Sequence, residues 1–329
     1  RGQRLLQRAV VLDLHCDTTQ VMVDEAYDLA QRHDFAQVDI PRLRQGGVTG
    51  LFFSIYTSAR LPPLEAMRRA LLQIDTVRRE SRRLSADLVL ATTADQVLAA
   101  KQQGKIAALM GIEGGHMIDS NLGILRTYYE LGARYLTLTH SRNTPWADSS
   151  GDKPQHNGLT DFGRQVVREM NRLGMMVDIS HASDKAFYDA LETSTAPLIA
   201  SHSSCRRFSP HPRNMTDDML RALAKKGGVV HINYYAGFLD GDFNQRYEAL
   251  KEENARETKI DAELANQPRR RSQEQRKLSA ARLAKLGRPP LSRLLDHFEH
   301  AARVAGVDHV GLGSDFDGVS DLPEGMDDV

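Results

Sequence analysis

The chain has 329 residues, with 43 Lys and Arg balanced by 43 Asp and Glu, 41% hydrophobic residues and 2 cysteines. Zero formal net charge removes the long-range positive field that nucleic-acid binding needs. Cys16 and Cys205 alone can build neither a disulfide framework nor a thiolate metal cluster, and no run of 18 apolar residues offers a membrane-crossing helix.

Eight short apolar runs recur along the chain, at residues 10–14, 48–56, 106–112, 135–139, 175–179, 197–201, 228–234 and 309–313. Polar stretches with helical periodicity separate them. Near-continuous apolar strands mark a parallel sheet buried on both faces, and eight of them predict one α/β domain over residues 1–329, closed as a (β/α)8 TIM barrel. Among the helices, residues 64–84 carry Leu64, Met67, Leu71, Ile74 and Val77 at three-to-four spacing, which predicts one buried stripe. Residues 162–173 are opened by Thr160 or Asp161 and stopped by Gly174. Ser183 or Asp184 opens the next helix, and Thr216 the one after it. Residues 245–288, rich in Lys, Arg, Glu, Gln and Ala and including Pro268-Arg269-Arg270-Arg271, predict a charged helical insertion in the seventh βα connection.

Barrel enzymes carry their chemistry at the C-terminal ends of the strands. Those positions hold His15, Asp17, Glu113, His140, His181, His202 and Asp315. Side chains alternate along a strand, so His15 and Asp17 point one way and Cys16 the other. A carboxylate beside a neutral imidazole suits Zn²⁺ or a similar divalent ion. Glu113, inside Gly111-Ile112-Glu113-Gly114-Gly115-His116, has two oxygens and can bridge a pair of ions, and His181 with His202 completes a second site. Two ions can deprotonate a bridging water and polarise a carbonyl, so the reaction expected is hydrolysis. Asp315 is placed to take a proton and pass it to the leaving amine, and His140 to donate to an oxyanion. His116 is placed to orient a ligand, whereas His231, inside the seventh strand, reads as a core histidine. No H-E-x-x-H, G-x-S-x-G or G-x-x-x-x-G-K-[ST] motif occurs.

The stretches Asp13-Leu14-His15-Cys16-Asp17, Gly111 to His116, Tyr135 to His140, Asn143 to Asp148, Asn171 to Gly174, Ser201-His202-Ser203, Arg213-Asn214 and Gly313 to Gly318 resemble, nearly end to end, the membrane (renal) dipeptidase family. This is peptidase family M19 of the amidohydrolase superfamily. The resemblance implies two Zn²⁺ per chain, or other divalent ions, with His15 and Asp17 on one, His181 and His202 on the other, and Glu113 between them. It implies hydrolysis of dipeptides, L-D dipeptides included, by a metal-bridging hydroxide. Arg213 would grip the substrate's terminal carboxylate through its planar fork, His140 would contact the scissile carbonyl, Tyr235 would line the same pocket and Asp315 would be the acid/base. A second reading keeps the metals and takes N-acyl amino acids, or another small carboxylated amide or lactone, as substrate. A homodimer is compatible with the resemblance, which also implies a C-terminal helical segment beyond the acidic turn that this sequence does not carry. A start at Arg1, with no initiator methionine, favours an exported or envelope-associated location over the cytoplasm.

Overall fold

A computed structural model describes residues 5–329 except residues 7, 26, 265 and 266. Nine strands form its sheet: β1 (Leu12–Cys16), β2 (Gly50–Tyr56), β3 (Leu88–Leu90), β4 (Ile106–Glu113), β5 (Ala133–Thr137), β6 (Met176–Asp178), β7 (Leu198–Ala200), β8 (Val229–Ile232) and β9 (Val310–Leu312). They run in the order β2-β1-β9-β8-β7-β6-β5-β4-β3, and β2 also pairs with β4. That last pairing, in register from Gly50 opposite Ala107 to Tyr56 opposite Glu113, closes a parallel barrel of eight strands. Each of the eight predicted runs overlaps one barrel strand. The addition is β3, which takes Ile106–Ala108 of β4 while Met110–Glu113 of β4 pair with β5.

A buried cluster that includes Leu14, Phe52, Leu109, Tyr135 and Ile199 draws side chains from five barrel strands and fills the barrel. A larger one packs the outer strand faces against the helices. Inside the barrel the Tyr135 ring lies over Gly111, and a Cβ at position 111 would collide with it. The glycine is there because the ring needs the space.

The helices are α1 (Thr18–Asp24), α2 (Ile40–Gly46), α3 (Pro63–Arg83), α4 (Ala94–Gln102), α5 (Leu122–Glu130), α6 (Asp161–Leu173), α7 (Asp184–Thr193), α8 (Asp217–Lys225), α9 (Ala236–Leu239), α10 (Gly241–Glu248), α11 (Lys251–Glu263), α12 (Pro268–Leu286) and α13 (Leu291–Ala305). Their ends follow the capping chemistry in the sequence. Thr160, Ser183 and Thr216 each accept a hydrogen bond from a backbone N–H in the first turn, and Gly174 ends α6 in the left-handed region at φ 80°.

The stripe on α3 is corrected in part: Ile74 and Val77 are buried as predicted, but Leu64 and Leu71 are 76% and 46% exposed, and Ala66, Ala70 and Gln73 are buried in their place. Small side chains let α3 lie close to its neighbours, and that close approach decides which face is inward. Between β8 and α13 the charged stretch folds as α10, α11 and α12.

Candidate metal centre

Where β1 pairs with β2 the register shifts between Asp13 and Cys16. This β-bulge breaks the strand's alternation: Leu14 packs in the barrel interior, yet the next residue, His15, also turns inward. Beyond the bulge alternation resumes. Cys16 is buried among the outer-face residues, while His15 Nε2 lies 3.4 Å from Asp17 Oδ2.

Glu113 ends β4 at the centre of the group, with its two oxygens facing different neighbours. Its Oε2 is 3.4 Å from His15 Nε2 and accepts from Ser54 Oγ at 2.9 Å. Its Oε1 is 3.2 Å from His181 Nε2, 3.4 Å from His202 Nε2 and 3.5 Å from His140 Nε2. The two nitrogens of His181 and His202 are 2.9 Å apart. Asp315 Oδ1 approaches His15 Nε2 at 3.9 Å, and Asp315 Oδ2 accepts from Asn233 Nδ2 at 2.9 Å. All seven predicted strand-end groups therefore meet in one place.

Two histidines are held by partners on their far nitrogens. His15 Nδ1 donates to the Tyr135 hydroxyl at 2.8 Å, which in turn donates to the Leu14 carbonyl at 3.3 Å. His202 Nδ1 donates to Ser201 Oγ at 2.7 Å, and Ser201 donates to Asp178 Oδ2 at 2.7 Å. With these tautomers, assigned from the bonding pattern, each Nε2 presents a lone pair to the centre. The sequence reading missed Tyr135, Asp178, Ser201 and Asn233. Only the hydroxyl and carboxylate residues at strand ends beside the histidines hinted at them.

Backbone strain gathers here as well. His181 and Asp315 have φ of 67° and 64°, left-handed conformations that cost a non-glycine residue about 1 kcal/mol each. Ser150 N–H donates to the His181 carbonyl at 2.8 Å, and Thr139 Oγ1 donates to it at 3.0 Å, fixing that turn. At Gly318 a Cβ would run into Asp17 Oδ2 and Asp315 Oδ1, so the glycine keeps the acidic side of the group open.

Burial, joined by repulsion from Asp17 and Glu113, pushes Asp315 up to about 8. Burial and the Glu113 charge raise Asp17 as well. At Glu113 burial works upward but is outweighed by His15, His181 and His202, which hold its carboxyl well below the usual range. His140 is pushed down to about 4, chiefly by burial, and is neutral at neutral pH.

The donor set fits divalent cations. Three carboxylates and four imidazoles, hard-to-borderline ligands, converge in three overlapping groups, two of which share Glu113 and two of which share His15. His15 Nε2 is buried without a hydrogen-bond partner, as expected of a nitrogen reserved for an ion.

Beside this group lies a cavity of about 270 Å³ lined by Gln20, Tyr56, His140, Arg213, Tyr235 and Phe238 among others. Arg213 Nη2 donates to the His202 carbonyl at 3.2 Å, its Nη1 lies 3.5 Å from Ser203 Oγ, and its Nε is buried without a partner. Burial pushes the guanidinium down to about 10, and it stays charged at neutral pH. Tyr235 follows β8 and lines the same cavity. His116 instead pairs with Thr57 through Nε2 and Oγ1 at 3.0 Å. His231 Nδ1 donates to the Ala200 carbonyl at 3.0 Å inside the barrel.

A closed parallel barrel with imidazoles and carboxylates at its C-terminal rim defines a metal-dependent hydrolase. The profile of the membrane dipeptidase family (peptidase family M19) matches residues 1–329, and the chain belongs to this family of metallo-dipeptidases. It is 35% identical over 350 residues to a dipeptidase of Schizosaccharomyces pombe, covering 100% of this chain and 74% of that protein. It is 35% identical over 339 residues to dipeptidase 3 of Homo sapiens, of which it spans 60% while matching along its full length. Among solved structures, a metallopeptidase from Rhodobacter sphaeroides liganded with a phosphinate mimic of the dipeptide L-Ala-D-Ala superposes with a TM-score of 0.77. That structure is 27% identical, and the match covers 97% of this chain and 89% of the other. No helix among the described residues is long and apolar enough to cross a membrane.

Proposed function

We propose that this chain hydrolyses dipeptides, L-D dipeptides among them, using two Zn²⁺ ions. His15 and Asp17 would hold one ion, His181 and His202 the other, and Glu113 would lie between. The observation that carries the reading is the division of the Glu113 carboxylate, Oε2 toward His15 and Oε1 toward His181 and His202. Bound there, divalent cations supply Lewis acidity for a carbonyl and lower the pKa of water.

The remaining work falls to the chain's own side chains. Arg213 pairs with the substrate's terminal carboxylate, which places the preceding peptide bond against the ligand group. A tripeptide would set its carboxylate one residue too far away. His140, neutral and with Nε2 toward the ligand group 3.5 Å from Glu113 Oε1, can donate an N–H from that atom to the scissile carbonyl oxygen as charge develops there. Asp315, oriented by Asn233, accepts a proton from the attacking water and delivers it to the leaving amine. Support for L-D substrates comes from the Rhodobacter sphaeroides relative and its L-Ala-D-Ala mimic.

The test uses zinc-loaded protein with L-Ala-L-Ala, L-Ala-D-Ala, tri-alanine and N-acetyl-alanine. Cleavage of the two dipeptides, with the tripeptide spared and about two zinc ions per chain by elemental analysis, is the expected result. Equal activity in a metal-free preparation, or preference for N-acetyl-alanine, would overturn it.

A further inference from the structure

The charged insertion, α10 to α12, makes contact with the substrate cavity through a continuous series of aromatic rings and guanidinium groups. Arg282 on α12 is buried, and its guanidinium carbon lies 4.8 Å from the ring centre of Tyr247 on α10. Its Nη1 donates to the Tyr247 hydroxyl at 2.8 Å and to Glu257 Oε2 on α11 at 2.6 Å. The Tyr247 ring meets Tyr235 edge-on at 6.4 Å, and Tyr235 meets Phe238 edge-on at 4.9 Å. Phe238 in turn lies under Arg213, whose guanidinium carbon is 5.3 Å from the ring centre. The series therefore starts at a buried arginine of the insertion and ends at the arginine that faces the substrate.

Arg213 has few other constraints. Its hydrogen bonds go to one backbone carbonyl and, at 3.5 Å, to the Ser203 hydroxyl. The Phe238 ring, 5.3 Å from the guanidinium carbon, bounds the space open to Arg213 on that side. The far end of the series is fixed to the barrel. Arg276 of α12 grips Glu25 bidentately at 2.7 and 2.8 Å, and Ser279 donates to Asp321. Glu25 follows α1 and Asp321 follows β9, so the insertion is tied to the segments beyond β1 and β9, two neighbouring strands of the barrel.

We propose that the insertion is a specificity-determining element in which Arg282 and Tyr247 act as positioning residues for Arg213, through Tyr235 and Phe238. This inference rests on the reading of Arg213 as the carboxylate anchor. Its consequence is selective: disturbing the series weakens recognition of the substrate's terminal carboxylate and leaves bond cleavage unchanged. A misplaced fork still carries its charge but loses bidentate geometry.

The experiment compares a dipeptide with the corresponding dipeptide amide, which lacks the terminal charge, in the zinc-loaded full chain. Arg213→Met, Arg282→Met, Tyr247→Leu and Tyr247→Phe are measured beside the parent. Arg282→Met and Tyr247→Leu should raise KM for the dipeptide roughly tenfold, with kcat nearly constant and the amide unaffected. Tyr247→Phe keeps the ring and should retain the parent's preference for the free carboxylate. If Arg213→Met leaves that preference intact, the anchor reading itself fails. If Arg213→Met abolishes it but Arg282→Met and Tyr247→Leu do not alter it, the insertion has no such role. Equal losses on dipeptide and amide, or a fall in kcat alone, would also overturn the proposal. Should Arg282→Met fold poorly, the contrast between Tyr247→Leu and Tyr247→Phe decides the question alone.

Discussion

The Tyr135 hydroxyl sits 2.8 Å from Nδ1 of His15, joining a side chain in the middle of the barrel to one at its catalytic rim. The hydroxyl accepts from the imidazole and donates onward to the Leu14 carbonyl, so the imidazole cannot rotate without losing its bond to a hydroxyl that is itself held. Partners of this kind typically contribute 10–100-fold to metal affinity. Tyr135→Phe keeps the ring over Gly111 and removes only the hydroxyl. Metal affinity, read by chelator competition, should fall about 10–100-fold, and the metal-free protein should lose about 1–3 kcal/mol of stability because His15 Nδ1 is left buried without a partner.

Removing metal should destabilise the fold. Without cations Asp17, Glu113 and Asp315 crowd around His15, and burial with mutual repulsion raises Asp17 and Asp315. Each ion present at about one hundred times its Kd adds about 2.7 kcal/mol of stability. Calorimetry of chelated and zinc-reloaded protein should show a lower Tm after chelation and recovery on reloading.

A methyl group at position 111 has nowhere to go. Gly111→Ala drives a Cβ into the Tyr135 ring, which is itself pressed against Phe52 with ring centres 5.2 Å apart. Overpacking of this kind costs about 1–3 kcal/mol. Chemical denaturation should show that loss, and adding Tyr135→Leu should recover part of it because the two sites are in contact.

His297, far from the metal centre, gives the stability a dependence on pH. Its Nδ1 accepts from the Cys205 N–H at 3.0 Å and its Nε2 donates to the Leu239 carbonyl at 2.9 Å, so only the neutral ring fits. Burial pushes it down to about 4. The unfolded chain, with an ordinary histidine near 6.5, binds the proton first. Stability from this residue is therefore complete above about pH 6.5 and falls as pH drops toward 4, by at most about 1.4 kcal/mol per unit. In denaturation at pH 7 and pH 5, His297→Gln should lose less stability on acidification than the parent does.

Much of this was legible along the chain because of how parallel barrels are built. Strands buried on both faces read as apolar runs, and the rim position after each run is where an ionisable residue has a use. That logic located His15, Asp17, Glu113, His140, His181, His202 and Asp315. It failed on α3, where Leu64 and Leu71 face outward because Ala66 and Ala70 allow the closer approach. Side-chain size in the periodic pattern did not report which face the neighbouring elements would accept.

The chain's linear order, then, determined the eight barrel strands, the helix caps and the chemical types at the rim, since each depends on residues within a few positions of one another. Tertiary structure alone decided the bulge that turns His15 inward, the two directions of the Glu113 oxygens, the Tyr135 and Ser201 partners of the histidines, and the path from Arg282 to Arg213. Each of those joins groups from different strands or helices. Their geometry is set by barrel closure and packing, which bring together residues that local spacing cannot relate.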